Sequence, residues 1–561
     1  MIEHRAALEL DPDSDPDVAA RVTPGIGRWL AMGFTGLLCG LVAALAMVLL
    51  MLAARTWLGI SPPFEALPDR FAPTLTIDQF FSLFGRFGGY NGLKRFGITS
   101  GLAGLFALGA LFGVLYALVT ESRRSRQVTP WRGGFSPVGV TFLLAAAVVL
   151  WLGSVALLWP VLDANYRGLP PGSARIVSIV ALLVQYLVFA AVLIVLYRWV
   201  TPRPVTTAAP LEATPIGVPM ARRAVVAGAA GVALAAGSGA LLRDLNARAT
   251  FAYDGLAYSG PGVQPIAPND KFYTVTKNVV DPNIDAGIWR LEIGGMVEEP
   301  RSYTFDDLMN LASIEQESTL MCISNRIGAG LMSNAVWQGV RLRDLLEASR
   351  PMPGALEVFL NGADAYTDTF AFEKAMDPTT IVAFAMNGEP LPLRHGYPAR
   401  VVVPNLFGEK NVKWVTRIEV VDYDAKGFYE QQGWGPSFVI PTRSDIFGPR
   451  WVRRRGDSFV EPFTVGETAT IRGRAFAGDR GIQRVEFSPD DGETWHETRI
   501  DYAGTHLTWT FWSYAWQPEA PGDYTLVSRA IDGTGEPQPT ETRGIVPQGA
   551  TGYHRVVANV G

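Results

Sequence analysis

The sequence predicts a three-part chain: a five-helix transmembrane domain, an α+β domain and a C-terminal antiparallel β-sandwich. Three observations carry that reading. The 561 residues are 48% hydrophobic and only 18% charged, with a net charge of −5, which is too apolar for an ordinary soluble enzyme. Nearly all of the apolar surplus falls before residue 245. Beyond it, strand and helix patterns alternate, then give way to short alternating strands alone. Two cysteines, Cys39 and Cys322, exclude a disulfide scaffold. The mildly acidic balance argues against a nucleic-acid partner, which needs a basic footprint.

Five uncharged stretches reach the roughly 20 residues that a bilayer demands: 29–54, 96–120, 138–162, 176–197 and 224–242. The fifth is rich in Ala and Gly and follows Arg222-Arg223. That pattern resembles a twin-arginine export signal, which carries folded cargo across a bacterial membrane, here read as an uncleaved anchor. The bland alternative is a weak span with flanking arginines. Arg123, Arg124, Arg126 and Arg132 in one loop, and Arg198, Arg203, Arg222 and Arg223 in another, place those loops and the N-terminus in the cytoplasm. The expected product is a multi-pass cell-membrane protein with everything after Leu242 outside and residues 1–27 as a disordered cytoplasmic tail. The spans hold no Asp, Glu, Lys, Arg or His, so they supply neither haem ligands nor a proton relay. They read as an anchor, a platform for a quinone or membrane partner, or a sensor. The stretch 77–96, "IDQFFSLFGRFGGYNGLKRF", looks amphipathic and is expected at the outer interface.

Residues 258–285 are Pro-, Gly- and Asn-rich and read as linker and loop. An α+β domain is expected over 255–450. "WRLEIGGMV", "STLMCISN", "ALEVFLNG" and "ARVVVPN" read as strands, "RLRDLLEAS" as a helix and "TFDDLMNLAS" as a helix capped by Thr304. Over 455–561, five alternating stretches between Gly, Pro and Asp suggest a β-sandwich packed on Trp495, Trp509, Trp512 and Trp516.

Chemistry gathers in two places. Cys322 ends a short apolar strand near Arg326. A thiolate stabilised by a guanidinium is a suitable soft ligand for a redox metal, whereas a lone cysteine on such a strand is more often inert. In "MNGEPLPLRHGYPARVVVPNLFGEKNVKW", His395, Arg400, Lys410 and Lys413 gather around turns and a strand. They suit an anionic, phosphate-bearing cofactor, or else form a solvated loop.

Together "TLMCISNR", "NAVWQGVRLRDLL", "MNGEPLP…HGYPARVVVP" and "NVKW" resemble the sulfite oxidase family of molybdopterin-dependent oxidoreductases, from about Asn269 to the C-terminus. The resemblance implies a C-terminal immunoglobulin-like dimerisation domain and thus a homodimer. It implies Cys322 as ligand of molybdenum, with a pyranopterin supplying further sulfurs. It places Tyr273, Thr274, Asp364, His395, Arg400, Asn411 and Lys413 around the pterin, and Arg326 as an orienting group for substrate. Trp337 either walls the pocket or packs the core. Two departures count against sulfite. Ile327 stands where sulfite-oxidising members carry a second arginine, losing a charge-assisted contact of about 1.5–3 kcal/mol. Trp434 replaces their active-site tyrosine. No b5-type haem domain is expected. The implied activity is two-electron, oxo-transfer-type chemistry on a small extracytoplasmic substrate, with electrons exchanged with a carrier, a quinone among the candidates. The reading weighed against it is a membrane sensor or assembly protein with a non-catalytic ligand-binding domain.

Overall fold

The computed structural model describes residues 26–124, 136–201, 222–453 and 457–561. The acidic tail and most of the two arginine-rich loops that carried the orientation argument lie outside the described residues. The chain divides into two compact units: residues 1–47, 104–149 and 186–235, and residues 48–103, 150–185 and 236–561.

Five long helices correspond to the apolar stretches: α1 (Ile26–Ala53), α4 (Tyr90–Arg124), α5 (Pro137–Leu158), α6 (Pro171–Val200) and α7 (Arg222–Ala247). All five are long and apolar enough to cross a membrane. In the first unit, glycines let the backbones of α1 and α4 touch. A Cβ on Gly40 would fall 2.1 Å from the Gly109 carbonyl oxygen, and one on Gly113 equally close to that of Gly36, the small-residue contact that apolar helices use to associate. Helix α4 starts six residues before its apolar stretch, because Gly88 and Gly89 adopt positive φ and break the chain just upstream.

The second unit also holds α2 (Pro63–Phe71) and α3 (Ile77–Phe87), and α2 and the start of α4 are tied to residues 250–285 by buried ion pairs. Arg55 contacts Glu65 and the Val280 carbonyl, Lys94 pairs with Asp254 at 2.7 Å, and Lys277 with Asp69 at 2.8 Å. Residues 258–285 form no regular strand, as their composition suggests, yet Val263, Ala267, Phe272 and Tyr273 are buried. This stretch is packed rather than a free linker.

Two sheets follow. One is ordered β2 (Arg301–Thr304), β1 (Arg290–Gly295), β10 (Val415–Val421), β5 (Glu357–Gly362), β6 (Thr367–Ala371), and only β1 and β10 run parallel. The other is ordered β3 (Ile314–Met321), β4 (Met332–Arg341), β7 (Ile381–Met386), β8 (Glu389–Pro390), with β9 (Arg400–Val402) also on β7. Thr304 caps α8 (Phe305–Asn310) through a reciprocal box with Asp307, and α9 spans Leu342–Ser349. Trp289, fully buried, donates its indole N–H to the Val415 carbonyl across the first sheet.

The last 120 residues form two further sheets. One is β11 (Arg443–Gly448), β14 (Ala469–Phe476), β18 (Thr510–Trp516), β17 (Arg499–Tyr502). The other is β12 (Trp451–Arg453), β13 (Asp457–Phe459), β20 (His554–Val560), β19 (Gly522–Asp532), β15 (Ile482–Ser488), β16 (His496–Glu497). Ile446, Ile471 and Trp512 of the first share one apolar core with Val485, Phe487, Leu526 and Val556 of the second. At Gly473 a Cβ would strike the Trp512 ring at 2.2 Å, so that ring closes over bare backbone.

Candidate active site

Strand β3 ends at Met321 and delivers Cys322 into a cavity of about 500 Å³ in the second unit. The cavity is lined by Tyr273, Thr274, Cys322, Asp364, His395, Arg400, Asn411 and Lys413. These come from the packed 258–285 stretch, the end of β3, the turn after β5 and the segment 393–414. Residues distant in sequence thus meet because β9 pairs with β7 while the turn beyond it folds back on the Cys322 strand.

Its deep end is cationic. The Arg400 guanidinium is buried and donates only to the carbonyls of His395 and Asn411, at 3.1 Å each. Its Nε has no partner, and among the described residues no carboxylate pairs with it. Burial therefore pushes it down to about 10. A buried guanidinium without a counter-ion is costly, so this pocket calls for an anion. The Lys413 ammonium lies close by, donates to the Arg394 carbonyl and is likewise lowered by burial. Burial lowers His395 to about 3, so the ring is neutral. Its Nε2–H donates to the Asn269 carbonyl at 2.8 Å, leaving Nδ1 as an acceptor. Asp364 accepts from Asn278 at 2.8 Å and from the Tyr366 backbone. Both ends of the Asn411 amide are spent on backbone, accepting from Val403 and donating to Phe407. Asn411 therefore shapes the turn and holds Arg400 through its carbonyl.

At the other end, the Cys322 thiol lies 3.0 Å from the Ser324 hydroxyl. Burial, reinforced by the Glu409 carboxylate, pushes the thiol up to about 11. A metal binding there must displace the proton. The carboxylate oxygens of Glu409 are buried, and burial pushes the group up to about 8. Gly408 lets this turn approach, since a Cβ there would meet the Tyr273 hydroxyl at 2.4 Å. Among the described residues no three His, Cys, Asp or Glu side chains converge as a metal site, so Cys322 stands as a single thiolate candidate.

Two assignments read from the sequence are placed differently, and a third, Trp337, is decided between its two readings. Arg326 is exposed and does not line the cavity; its carbonyl instead accepts from Arg443 at 3.0 Å. Lys410 does not join the cationic end. Its ammonium is neutralised by Asp368 at 2.7 Å and Glu430 at 3.3 Å. Trp337 is fully buried beneath Arg400 and donates to the Ser318 carbonyl, so it packs the core.

Other functional candidates were invisible in the sequence. Glu409 and Tyr429 line the cavity, beside the Trp434 that the sequence places at an active-site position, and so do Phe80, Phe81, Phe84 and Tyr90 from the N-terminal half. Only the amphipathic pattern of 77–96 hinted that those phenylalanines face something. The something is this cavity.

A thiol beside an unpaired cationic cradle defines a pocket for an anionic, metal-bearing cofactor, and the comparisons say which. Residues 278–429 match the oxidoreductase molybdopterin binding domain, and residues 452–561 match the Mo-co oxidoreductase dimerisation domain. Over residues 278–561 these matches support a molybdopterin-dependent oxidoreductase of the sulfite oxidase family. It is 29% identical to the mitochondrial sulfite oxidase of Drosophila melanogaster, over 52% of this chain and 59% of that protein. It is 31% identical to an NADH nitrate reductase of Hordeum vulgare, over 46% and 34% respectively. The solved structure of the sulfane dehydrogenase SoxCD from Paracoccus pantotrophus aligns over 54% of this chain and 85% of its own, with 26% identity and a TM-score of 0.46. The chain spans about a third to three fifths of the curated relatives it matches.

Proposed function

We propose that this chain is a membrane-anchored, exported molybdopterin-dependent oxidoreductase that carries out two-electron, oxo-transfer-type chemistry on a small extracytoplasmic substrate. One observation carries this: eight residues assigned from the sequence, scattered from 273 to 413, line a single cavity around Cys322. The cavity also tests the cofactor. An orphaned, buried Arg400 Nε and the neighbouring Lys413 are what an anionic pterin phosphate would satisfy.

Bound there, a molybdenum pterin supplies the two-electron redox change coupled to oxygen transfer. Cys322 offers the metal one thiolate through Sγ. Arg400 and Lys413 would neutralise its anionic end, His395 Nδ1 would accept a hydrogen bond, and Thr274 and Asp364 would line its site. Glu409 keeps a proton on its carboxyl near neutral pH, close to Cys322. The β-sandwich is read as the immunoglobulin-like homodimerisation domain, with the dimerisation-domain match in its support. The five apolar helices are read as the anchor, with the segment after Arg222-Arg223 as the twin-arginine export signal of a bacterial protein, and an electron carrier, a quinone among them, as partner.

The test is molybdenum and pterin content of the purified full-length chain, parent against Cys322→Ser. Stoichiometric molybdenum whose spectroscopic signature changes in the variant supports the reading. Folded parent that is free of molybdenum, from a host that makes the cofactor, overturns it.

A further inference from the structure

The end of the cavity nearest Cys322 differs in character from the cofactor cradle. Four cations line the cavity: Lys277, Arg394, Arg400 and Lys413. Lys277 is bound by Asp69 and the Asp364 carbonyl, and Arg394 by the carbonyls of Asn269 and Asp270. Arg400 and Lys413 belong to the cradle. None of these faces Cys322 as a free charge, and Arg326 lies outside. The charged or ionisable groups whose electrostatics reach the thiol are Glu409, Asp254, Tyr273 and Tyr429, of which Glu409 and Asp254 are carboxyls.

The wall here is aromatic and half of it comes from the N-terminal portion. Phe81 lies tilted against Trp434 at 6.1 Å between centroids, Trp434 meets Tyr429 edge-on at 6.4 Å, and Phe84 stacks on Tyr90 at 5.1 Å. Helix α3 is held in this position by its capping box at Thr76 and Gln79 and by Gln432, which donates to the Ala72 carbonyl. Besides the hydroxyls of Tyr90 and Tyr429, which bond to each other, this wall holds an indole N–H. The Trp434 indole N–H is buried, at 7% exposure, and has no hydrogen-bond partner. A buried donor without a partner is costly, and Trp434 is one of the residues that line the cavity.

We propose that α3 and the start of α4 are a specificity element of the active site, and that the site selects a neutral molecule with an apolar body and one acceptor oxygen over an inorganic oxyanion. An oxyanion entering here would lose its hydration against phenylalanine faces and a carboxyl, with no free cation to replace the water. An apolar body gains burial against Phe81 and Phe84, and its oxygen satisfies Trp434. The N-terminal helical portion thereby becomes part of the catalytic pocket as well as an attachment. This rests on the molybdopterin reading above.

The test uses purified full-length protein in detergent and measures binding by tryptophan-fluorescence quenching, without turnover. The probes are N,N-dimethylaniline N-oxide and methyl phenyl sulfoxide against sulfite and nitrate. The neutral aromatic probes are expected to bind at least roughly tenfold tighter than either oxyanion, and Phe81→Ala and Phe84→Ala to weaken them by roughly tenfold while molybdenum content stays at the parent level. Phe81→Arg should invert the preference toward the oxyanions, so the idea stays testable where an alanine variant folds poorly. Oxyanions that bind the parent as tightly as the neutral probes, or alanine variants indistinguishable from it, overturn the proposal. A parent without molybdenum that still prefers the neutral probes separates failure of the cofactor reading from failure of this one.

Discussion

The loop that carries Cys322 is held from outside its own domain, and Arg443→Met tests how strongly. Arg443 begins β11 of the sandwich, is 1% exposed, and donates to the carbonyls of Arg326 (3.0 Å) and Asn325 (3.4 Å). It also meets both oxygens of Asp445 at 2.9 Å, and Asp445 accepts from the Gly328 N–H at 2.9 Å. Nearby, Arg474 donates to the carbonyls of Ala329 and Tyr258. Methionine fills much of the same volume, so the cavity cost is small, but Asp445 is left with Arg474 at 4.0 Å as its nearest cation. Breaking a buried pair from one side costs about 3–5 kcal/mol. We expect that loss in urea unfolding of the full-length protein followed by tryptophan fluorescence, with molybdenum content falling alongside because the carbonyls of Asn325 and Arg326 lose their donor. Arg443→Lys, which keeps the charge but not the two-pronged geometry, should fall between. Adding Asp445→Asn to Arg443→Met should recover part of the loss, since the stranded charge is gone. A loss below about 1 kcal/mol with full molybdenum would refute the argument, because no buried pair of this geometry should be so cheap to break.

Three further outcomes are expected. Lys410→Met leaves the buried Asp368 and the half-buried Glu430 without their cation, so it should destabilise by about 3–5 kcal/mol, and Asp368→Asn in the same chain should restore part of this in urea titration. At Asp532, burial would raise the carboxyl, but hydrogen bonds from Thr534, Arg480 and Thr442 outweigh it and bring it to about 2. A depressed carboxyl stabilises the fold above its ordinary titration range and loses that contribution as pH falls toward its folded value. Asp532→Asn should therefore cost about 2 kcal/mol at neutral pH, the gap from the parent closing between about pH 4 and 2 in acid unfolding. Gly408→Ala should displace the Tyr273 hydroxyl and lower pterin content, measured on the extracted cofactor, whereas Gly408→Ala with Tyr273→Phe should recover it.

Much of the architecture was legible because period and length suffice for it. Uninterrupted apolar runs gave the five long helices, Thr304 three residues before Asp307 gave a capped helix, and alternation gave β14, β15, β18 and β19 of the sandwich. Strand β11, the isolated pairings of 258–285 and the start of α4 at Tyr90 were not legible. They depend on partners far along the chain or on backbone breaks such as Gly88-Gly89.

The site divides the same way. Cys322, His395, Arg400 and Lys413 stand in motifs whose residue types already state a chemistry, so the sequence by itself determined that a thiol and an anion cradle exist. It could not tell that Lys410 is cancelled by Asp368, that Arg326 turns outward, or that Asn411 is consumed by backbone. A side chain's charge is written in the sequence, but the partner that neutralises it is brought by folding. Nor could it tell that Phe81 and Phe84 close the cavity beside Trp434. An amphipathic helix announces that one face will be buried, and only the packing of α3 against residues more than 300 positions away decided what that face would cover.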